Sequence, residues 1–307
     1  MMQKPIPSTV AVNISDLQAL SEHAHKINLS SRQPQKSPLF GRHASLIHGR
    51  GLDFKQVRQY VRGDDVRHID WKVTARTQQP HLKQFSEERE RPVLLILNQG
   101  HSMFFGSTAF MKSVVAAQLA AIVAHHVVKA KDQIGAIIVG DESSALIRPK
   151  GGTKNLMQVL QQISEANQAL LQQKNEQRNE YILAHTMAKI KRLKPVNHLI
   201  IFISDIIHYM PEVKTTLMAL SRHNDLVVCK VNDPLEFKIP QERWVLSNKG
   251  LQIPFDTGRK NLAARYAQDT ERRCKQFVDE LQKQGIPVLK FNSLTSAAQQ
   301  LKQYFGT

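Results

Sequence analysis

The stretch Val93-Leu94-Leu95-Ile96-Leu97-Asn98-Gln99-Gly100-His101-Ser102 decides how this chain is read. An unbroken apolar run, closed by small and oxygen-bearing side chains, marks a strand buried on both faces and the loop that leaves it. The pattern recurs downstream: residues 134–140, 199–203, 226–231 and 288–291 read as further strands, and 145–148 as a shorter one. Between them, helical spacing predicts helices over 108–130, 155–171, 179–193, 211–222, 259–284 and 294–304, with Gly285 just past the end of the 259–284 helix. Residues 244–246 and 251–253 flank Ser247-Asn248-Lys249-Gly250, a hairpin signal. Strands alternating with helices predict an α/β fold, a mainly parallel sheet with helices on both faces.

Upstream the pattern changes. Ile14, Leu17, Leu20, Ala24 and Ile27 keep helical spacing, with Asn13 or Ser15 as N-cap, and a polar linker follows over 30–37. From 39 to 91 the chain is dense in charge, Gly and Arg, with no period of 2 or 3.6. An irregular segment is expected there, packed on the main domain and held by polar contacts with Phe54, Tyr60 and Trp71 as apolar anchors. Asp64, Asp65 and Asp70 lie among Arg58, Arg62, Arg67 and Arg76, which predicts a structural ion-pair network; Ile69 and Trp71 in its middle are expected to be buried. The chain thus reads as an N-terminal helix and linker (1–38), a Gly/Arg/Asp-rich segment (39–91) and an α/β domain (92–307).

With 307 residues, 41% of them hydrophobic, the chain has enough apolar material for a sizeable core. Its two cysteines, Cys229 and Cys274, form no metal-binding spacing and fit a reducing compartment. Residues 1–12 hold no apolar signal region, and no apolar run reaches the ~20 residues needed to span a bilayer, so a cytoplasmic protein without a membrane span is expected. The formal charge of +16 asks for an anionic partner: nucleic acid, a membrane surface or an acidic protein. With aromatics at 6% and no basic–aromatic alternation, single-strand binding by stacking is disfavoured. A basic nucleic-acid-binding protein is the alternative reading.

In doubly wound sheets ligands gather beyond the carboxyl ends of the strands. Three loops are expected there: Asn98 to Ser102, Gly151-Gly152-Thr153 and Ser204-Asp205. Their residue types resemble the metal site of the von Willebrand factor A family, with Ser102, Thr153 and Asp205 matching its Ser, Thr and Asp positions. Asn98 and Gly100 replace an Asp and a Ser. One charge at ~4 Å from a divalent ion, at an effective dielectric of ~20, is worth roughly 8 kcal/mol before desolvation, so a degenerate site with weak or no magnesium affinity is expected. His101, Ser102 and Asp205 hold the residue types of a hydrolytic triad, but the Gly-x-Ser-x-Gly elbow is absent. Gly151-Gly152-Thr153-Lys154 is at most a faint phosphate cradle.

A wider pattern covers 39 to about 304. It runs through Gly41-Arg42-His43-Ala44-Ser45, Gly49-Arg50-Gly51-Leu52-Asp53-Phe54 and Val57-Arg58-Gln59-Tyr60, then Gly63-Asp64-Asp65-Val66-Arg67-His68-Ile69-Asp70-Trp71 and Thr74-Ala75-Arg76. Glu87-Glu88, Ser204-Asp205 and Asp233-Pro234-Leu235-Glu236 continue it. This resembles the bacterial domain of unknown function 58 family. The resemblance implies a von Willebrand factor A-like domain without enzymatic activity. It also implies a MoxR-type AAA+ ATPase as partner, alongside other proteins of the same operon, in chaperone-like assembly or maturation. Arg58, Tyr60, Gly63, Asp64, Asp65, Arg67, Asp70, Trp71 and Arg76 are its signature residues.

Overall fold

The computed structural model describes residues 7–26, 52–61, 64–87, 92–172, 178–206, 211–237, 243–248, 251–256 and 262–305. The expected linker at 30–37, the motifs at 41–45 and 49–51, Arg62, Gly63 and Glu88 lie outside them. In chain order the elements are α1 (Ile14–Ala19), α2 (Ser21–Lys26), β1 (Leu52–Gln59), α3 (Trp71–Thr77), β2 (His81–Glu87), β3 (Val93–Asn98) and α4 (Lys112–Lys129). They continue with β4 (Ile134–Val139), β5 (Ser144–Lys150), α5 (Thr153–Ala169), α6 (Arg178–Leu193), β6 (Leu199–Ser204) and α7 (Pro211–Leu220). The last are β7 (Asp225–Asn232), β8 (Arg243–Asn248), β9 (Leu251–Asp256), α8 (Leu262–Lys283), β10 (Val288–Asn292) and α9 (Ala297–Phe305). The chain divides into two compact units, one formed by Met1–Ile47 with Arg91–Thr307 and the other by His48–Glu90.

The larger unit is built on a sheet of order β10-β7-β6-β3-β4-β5. β10, β7, β6, β3 and β4 are parallel, and β5 closes one edge antiparallel to β4. The central strands are apolar on both faces because both faces are covered. Val93, Leu95 and Leu97 of β3, with Leu199, Ile201 and Ile203 of β6, pack in a core shared with α4, α5 and α9. Leu94 and Ile96, with Ile200 and Phe202, enter the opposite core with α6, α7 and α8. The two-residue period of the strand sorts neighbouring side chains to opposite layers.

α4 is apolar nearly all round, as a helix enclosed by other elements must be. One side faces the sheet. The other carries the N-terminal segment: Asn13 caps α1 in a reciprocal box with Asp16, and Leu17 is fully buried in the same core. His125 and His126, set in this helix, donate ring N–H bonds to the carbonyls of Leu17 (3.1 Å) and Ala24 (3.4 Å). Val12 N–H donates to Asn167 Oδ1 at 2.8 Å, and Asn167 donates to Gln99 at 2.9 Å, a buried amide relay that ties the segment to the loop after β3. Just past the end of α8, Gly285 has a φ of +76°, the left-handed conformation expected of a C′ glycine.

The smaller unit corrects the expectation of an irregular stretch. β1 and β2 pair antiparallel, from Leu52 opposite Glu87 to Gln59 opposite His81. A 3-10 turn at Val66–His68 and the helix α3 connect them. Leu82 is the buried apolar residue among those described in it. Trp71, expected to be buried, is 71% exposed, because it opens α3 on the face turned away from β2. No described helix is long and apolar enough to cross a membrane.

The β4–β5 edge depends on a close approach. Pro149 lies against Gly135, where an added Cβ would meet the proline ring at 2.8 Å. Proline is tolerated here because β5 is an edge strand. Gly135→Ala is expected to lower stability by roughly 1–3 kcal/mol through overpacking. Urea unfolding measures it, and an unchanged midpoint would show that the strands do not approach this closely.

Candidate functional site

From β3 the chain crosses to β4 on one side, while β6 lies on the other side of β3. The connections leaving β3 and β6 therefore open a crevice beyond their carboxyl ends, where open α/β sheets place their sites. α4 begins there with Lys112, a fully buried lysine. Its ammonium donates to Asp205 Oδ2 at 3.0 Å and to Glu236 Oε1 in a short contact. Side-chain exposures of 1%, 6% and 8% for Lys112, Asp205 and Glu236 leave water little part in this triad. The ring of Phe105 faces the ammonium at 5.8 Å.

The surrounding groups hold the triad in place. Glu236 Oε2 accepts from Asn232 Nδ2 at 3.0 Å and from the Asp233 amide at 3.1 Å. Asp233 accepts from the hydroxyl of Ser107 at 2.6 Å, its amide at 2.8 Å, the Ser293 hydroxyl at 2.5 Å and the Leu235 amide at 2.8 Å. Burial opposes ionisation of Asp233, but these donors outweigh it and hold the carboxyl below its ordinary value. Burial likewise opposes the Lys112 charge, and the pull of Asp205 and Glu236 prevails, raising its pKa. Asp141, beyond β4, accepts from the His101 amide at 2.8 Å through Oδ1 while Oδ2 is buried without a partner; burial raises its pKa.

Asn98, Gly100 and Asp205 do meet at this edge, but their polar atoms are engaged with one another. Asn98 donates to Ser204 Oγ at 3.1 Å and accepts from the Gly100 amide at 3.1 Å; Ser204 Oγ donates to Asp205 at 3.4 Å. Ser102 lies half-buried in the 3-10 turn His101–Met103. Thr153 is a correction. β5 runs antiparallel to β4, so Lys150 lies opposite Ile134 while Val139 lies opposite Ser144. Gly151, Gly152 and Thr153 therefore emerge at the amino edge of the parallel strands, a strand length of roughly 17–20 Å from the crevice. Gly152 takes φ +92° to start α5, and Asn155 donates to the carbonyls of Ile134 and Lys150. That is the work of this glycine pair, which is exposed and shapes a turn. The residues do not fit a divalent ion: the carboxylates share a lysine, the Asn98 oxygen holds an amide, and the threonine is at the wrong end.

Lys112 and Asp141 escaped the sequence reading, and Glu236 and Asp233 entered it only as a family motif. One signal was available: a lone lysine two positions before the long apolar run 114–128. In the smaller unit, Arg58 grips Asp64 through two parallel bonds of 2.8 and 2.7 Å, and that hydrogen bonding, first among the causes, lowers the Asp64 pKa. Asp65 caps the 3-10 turn through the Arg67 amide, and Asp70 caps α3 through Lys72 and Val73 and pairs with Lys83 at 3.6 Å. Tyr60 is half-buried, whereas Arg67, Trp71 and Arg76 face solvent. The expected network exists in part, as short-range caps and one forked pair.

Lys112→Met leaves two buried carboxylates without a counter-charge and is expected to destabilise the fold by about 3–5 kcal/mol. Adding Asp205→Asn and Glu236→Gln is expected to recover part of the loss. A change below about 1 kcal/mol for Lys112→Met in chemical unfolding would mean the ammonium is not needed there. Because the folded pKa of Lys112 is raised, its contribution is complete below the ordinary value of 10.5 and is lost as pH rises through the folded one. Asp141 works in the opposite sense. Its ionised form is penalised by burial, so Asp141→Asn should raise the melting temperature at pH 7 and lose that advantage as pH falls below the ordinary carboxylate value of 3.8. A melting temperature at pH 7 that does not rise would contradict the burial penalty.

An uncharacterized protein of Mycobacterium bovis is 26% identical over 234 residues, spanning 76% of this chain and 71% of its own length, and an uncharacterized protein of Mycobacterium tuberculosis matches equally. Among solved structures, BatB from Bacteroides thetaiotaomicron aligns at 11% identity and a TM-score of 0.38, covering 71% of this chain and 100% of that one. An aerotolerance-related membrane protein from Bacteroides fragilis aligns at 13% identity and a TM-score of 0.38, covering 70% and 98%. The family model described as Protein of unknown function DUF58 matches residues 56–276, which takes in the second half of β1 and the strand ends that carry Asn98, Asp205 and Glu236, and the chain belongs to that family.

Proposed function

We propose that this protein is a non-catalytic, protein-binding adaptor of the cytoplasm on a von Willebrand factor A-like scaffold. It acts with a MoxR-type AAA+ ATPase in the assembly or maturation of other proteins, and it engages that partner at the carboxyl edge of the sheet. The observation that carries the reading is the buried ammonium of Lys112 between Asp205 and Glu236. A general base or a metal ligand needs a carboxylate with a free oxygen facing the reacting group. Asp205 and Glu236 share an internal cation, and Asp233 is engaged by four donors. Among the described residues, what this edge offers outward includes apolar surface: Phe105 and Leu294 are exposed beside it, with Thr108 and Ala109 between the strand ends and α4. The ATPase itself comes from the family resemblance. The charge of +16 supports an acidic surface on the partner, which would speed association more than it tightens the complex.

Asp205 is a poor probe of this surface, since its removal strips Lys112 of a counter-ion. Ala109→Glu and Leu294→Glu alter exposed positions instead. Together they are expected to weaken binding to the neighbouring ATPase at least tenfold in a titration with nucleotide present, with the melting temperature unchanged. Full binding by the doubly substituted protein would exclude this edge, and no binding by the wild type at low salt would remove the adaptor reading.

A further inference from the structure

We infer that the smaller unit carries a second docking surface, centred on Trp71, for an acidic protein segment with an apolar side chain at its middle. The observations are independent of the carboxyl edge. Trp71 is 71% exposed, and Val61 and Val66, in the turns that precede it, are exposed by 61% and 58%. α3 presents Trp71, Lys72, Ala75 and Arg76 to solvent, one face by helical spacing, while Val73 and Thr74 turn toward β2 and Thr74 Oγ1 accepts from the His81 amide at 3.0 Å. Arg67 is exposed in the turn before the helix.

The charges around this tryptophan are unbalanced by construction. Asp64 is held by Arg58, and Asp70 is held by the α3 amides and Lys83. Asp65, though exposed, faces the Arg67 amide as a cap. Arg67, Lys72 and Arg76 make no ion pair among the described residues. Among the described residues, the unit's carboxylates Asp64, Asp65 and Asp70 fix its own turns, and Arg67, Lys72 and Arg76 are left unanswered. An exposed tryptophan beside unpaired arginines has the composition of a binding hot spot, an apolar centre within a charged rim.

The chemistry of the patch selects the partner. Exposed aliphatic Val61 and Val66 match apolar side chains, which a phosphodiester backbone lacks. A single aromatic gives no platform for successive stacked bases. An acidic segment with a leucine or aromatic residue answers both the apolar centre and the cations.

The test uses the full chain with Trp244→Phe, so that Trp71 is the only tryptophan. Emission from Trp71 in the free protein is expected at the wavelength of water-exposed indole. The probe is a random copolymer of glutamate and tyrosine, which supplies carboxylates and apolar rings. At low salt it should shift the emission to the blue, and the apparent affinity should fall at least tenfold when Arg67, Lys72 and Arg76 are all replaced by serine. Raising salt to about 0.3 M should weaken it similarly, since screening shortens the reach of exposed charges. Fluorescence anisotropy of labelled copolymer then reads Trp71→Ala, which should bind about tenfold more weakly than wild type, with an unchanged melting temperature showing that the fold is intact. Blue-shifted emission before any probe is added would overturn the proposal, as would equal binding by the triple serine variant. A shift produced by a mixed-sequence single-stranded DNA or by phosphatidylglycerol vesicles, but not by the copolymer, would also overturn it and reassign the patch to nucleic acid or membrane.

Discussion

An ammonium group buried in a protein is tolerated only if opposite charges and hydrogen bonds replace the water it has lost. Lys112 meets that condition through three strand ends at once. Asp205 follows β6, Glu236 follows β7, and the helix that delivers the lysine begins in the connection from β3. The order of the sheet places β7, β6 and β3 side by side, and the triad locks that order at its carboxyl edge. Each partner needs the others. Without the lysine, two carboxylates would face one another in a dry crevice. Without the carboxylates, a cation would sit at the head of an apolar helix. The fixed loops around them, Ser107 and Ser293 on Asp233 and Asn98 on Ser204, take their positions from this constraint.

The same constraint bears on function. A fold whose carboxyl edge is a habitual ligand site here closes that edge with its own cation. The interior of the crevice is filled by the protein's own ion pair, and under the adaptor reading proposed above recognition falls to the exposed side chains around it. The smaller unit handles charge in the reverse way. With Leu82 as its buried apolar residue among those described, it relies on the forked Arg58–Asp64 pair and on aspartate caps. Its tryptophan and its unpaired cations stay outside.

The elements of the large sheet were legible because a strand covered on both faces must be apolar throughout, and Val93–Asn98, Ile134–Val139 and Leu199–Ser204 are. The long helix α4 was legible for a related reason, though it starts at Lys112 and not at 108, since the chain before it is held by bonds of Phe110 to Ser293 and Met111 to Thr9. β1, α3 and β2 were not legible. Their described side chains answer to local polar partners such as Asp64, Asp65 and Asp70. Trp71 illustrates the error: a large aromatic within a charged stretch was assigned to a core that the described residues do not provide.

By itself the sequence determined which segments of the larger unit are strands and helices, that its sheet is mainly parallel and covered on both faces, and that Asn98, Gly100 and Asp205 share a loop edge. These follow from local periodicity and from the alternation of element types. Only the tertiary structure decided which loops meet. Thr153 left the site because β5 turns back antiparallel, a choice of strand direction that residues 144–150 do not encode in their pattern. Lys112 and Glu236 entered it from positions 124 residues apart, because sheet order brings together chain segments that no local spacing relates. Direction and order of strands are properties of the packed whole, and the site is built at the place where both are fixed.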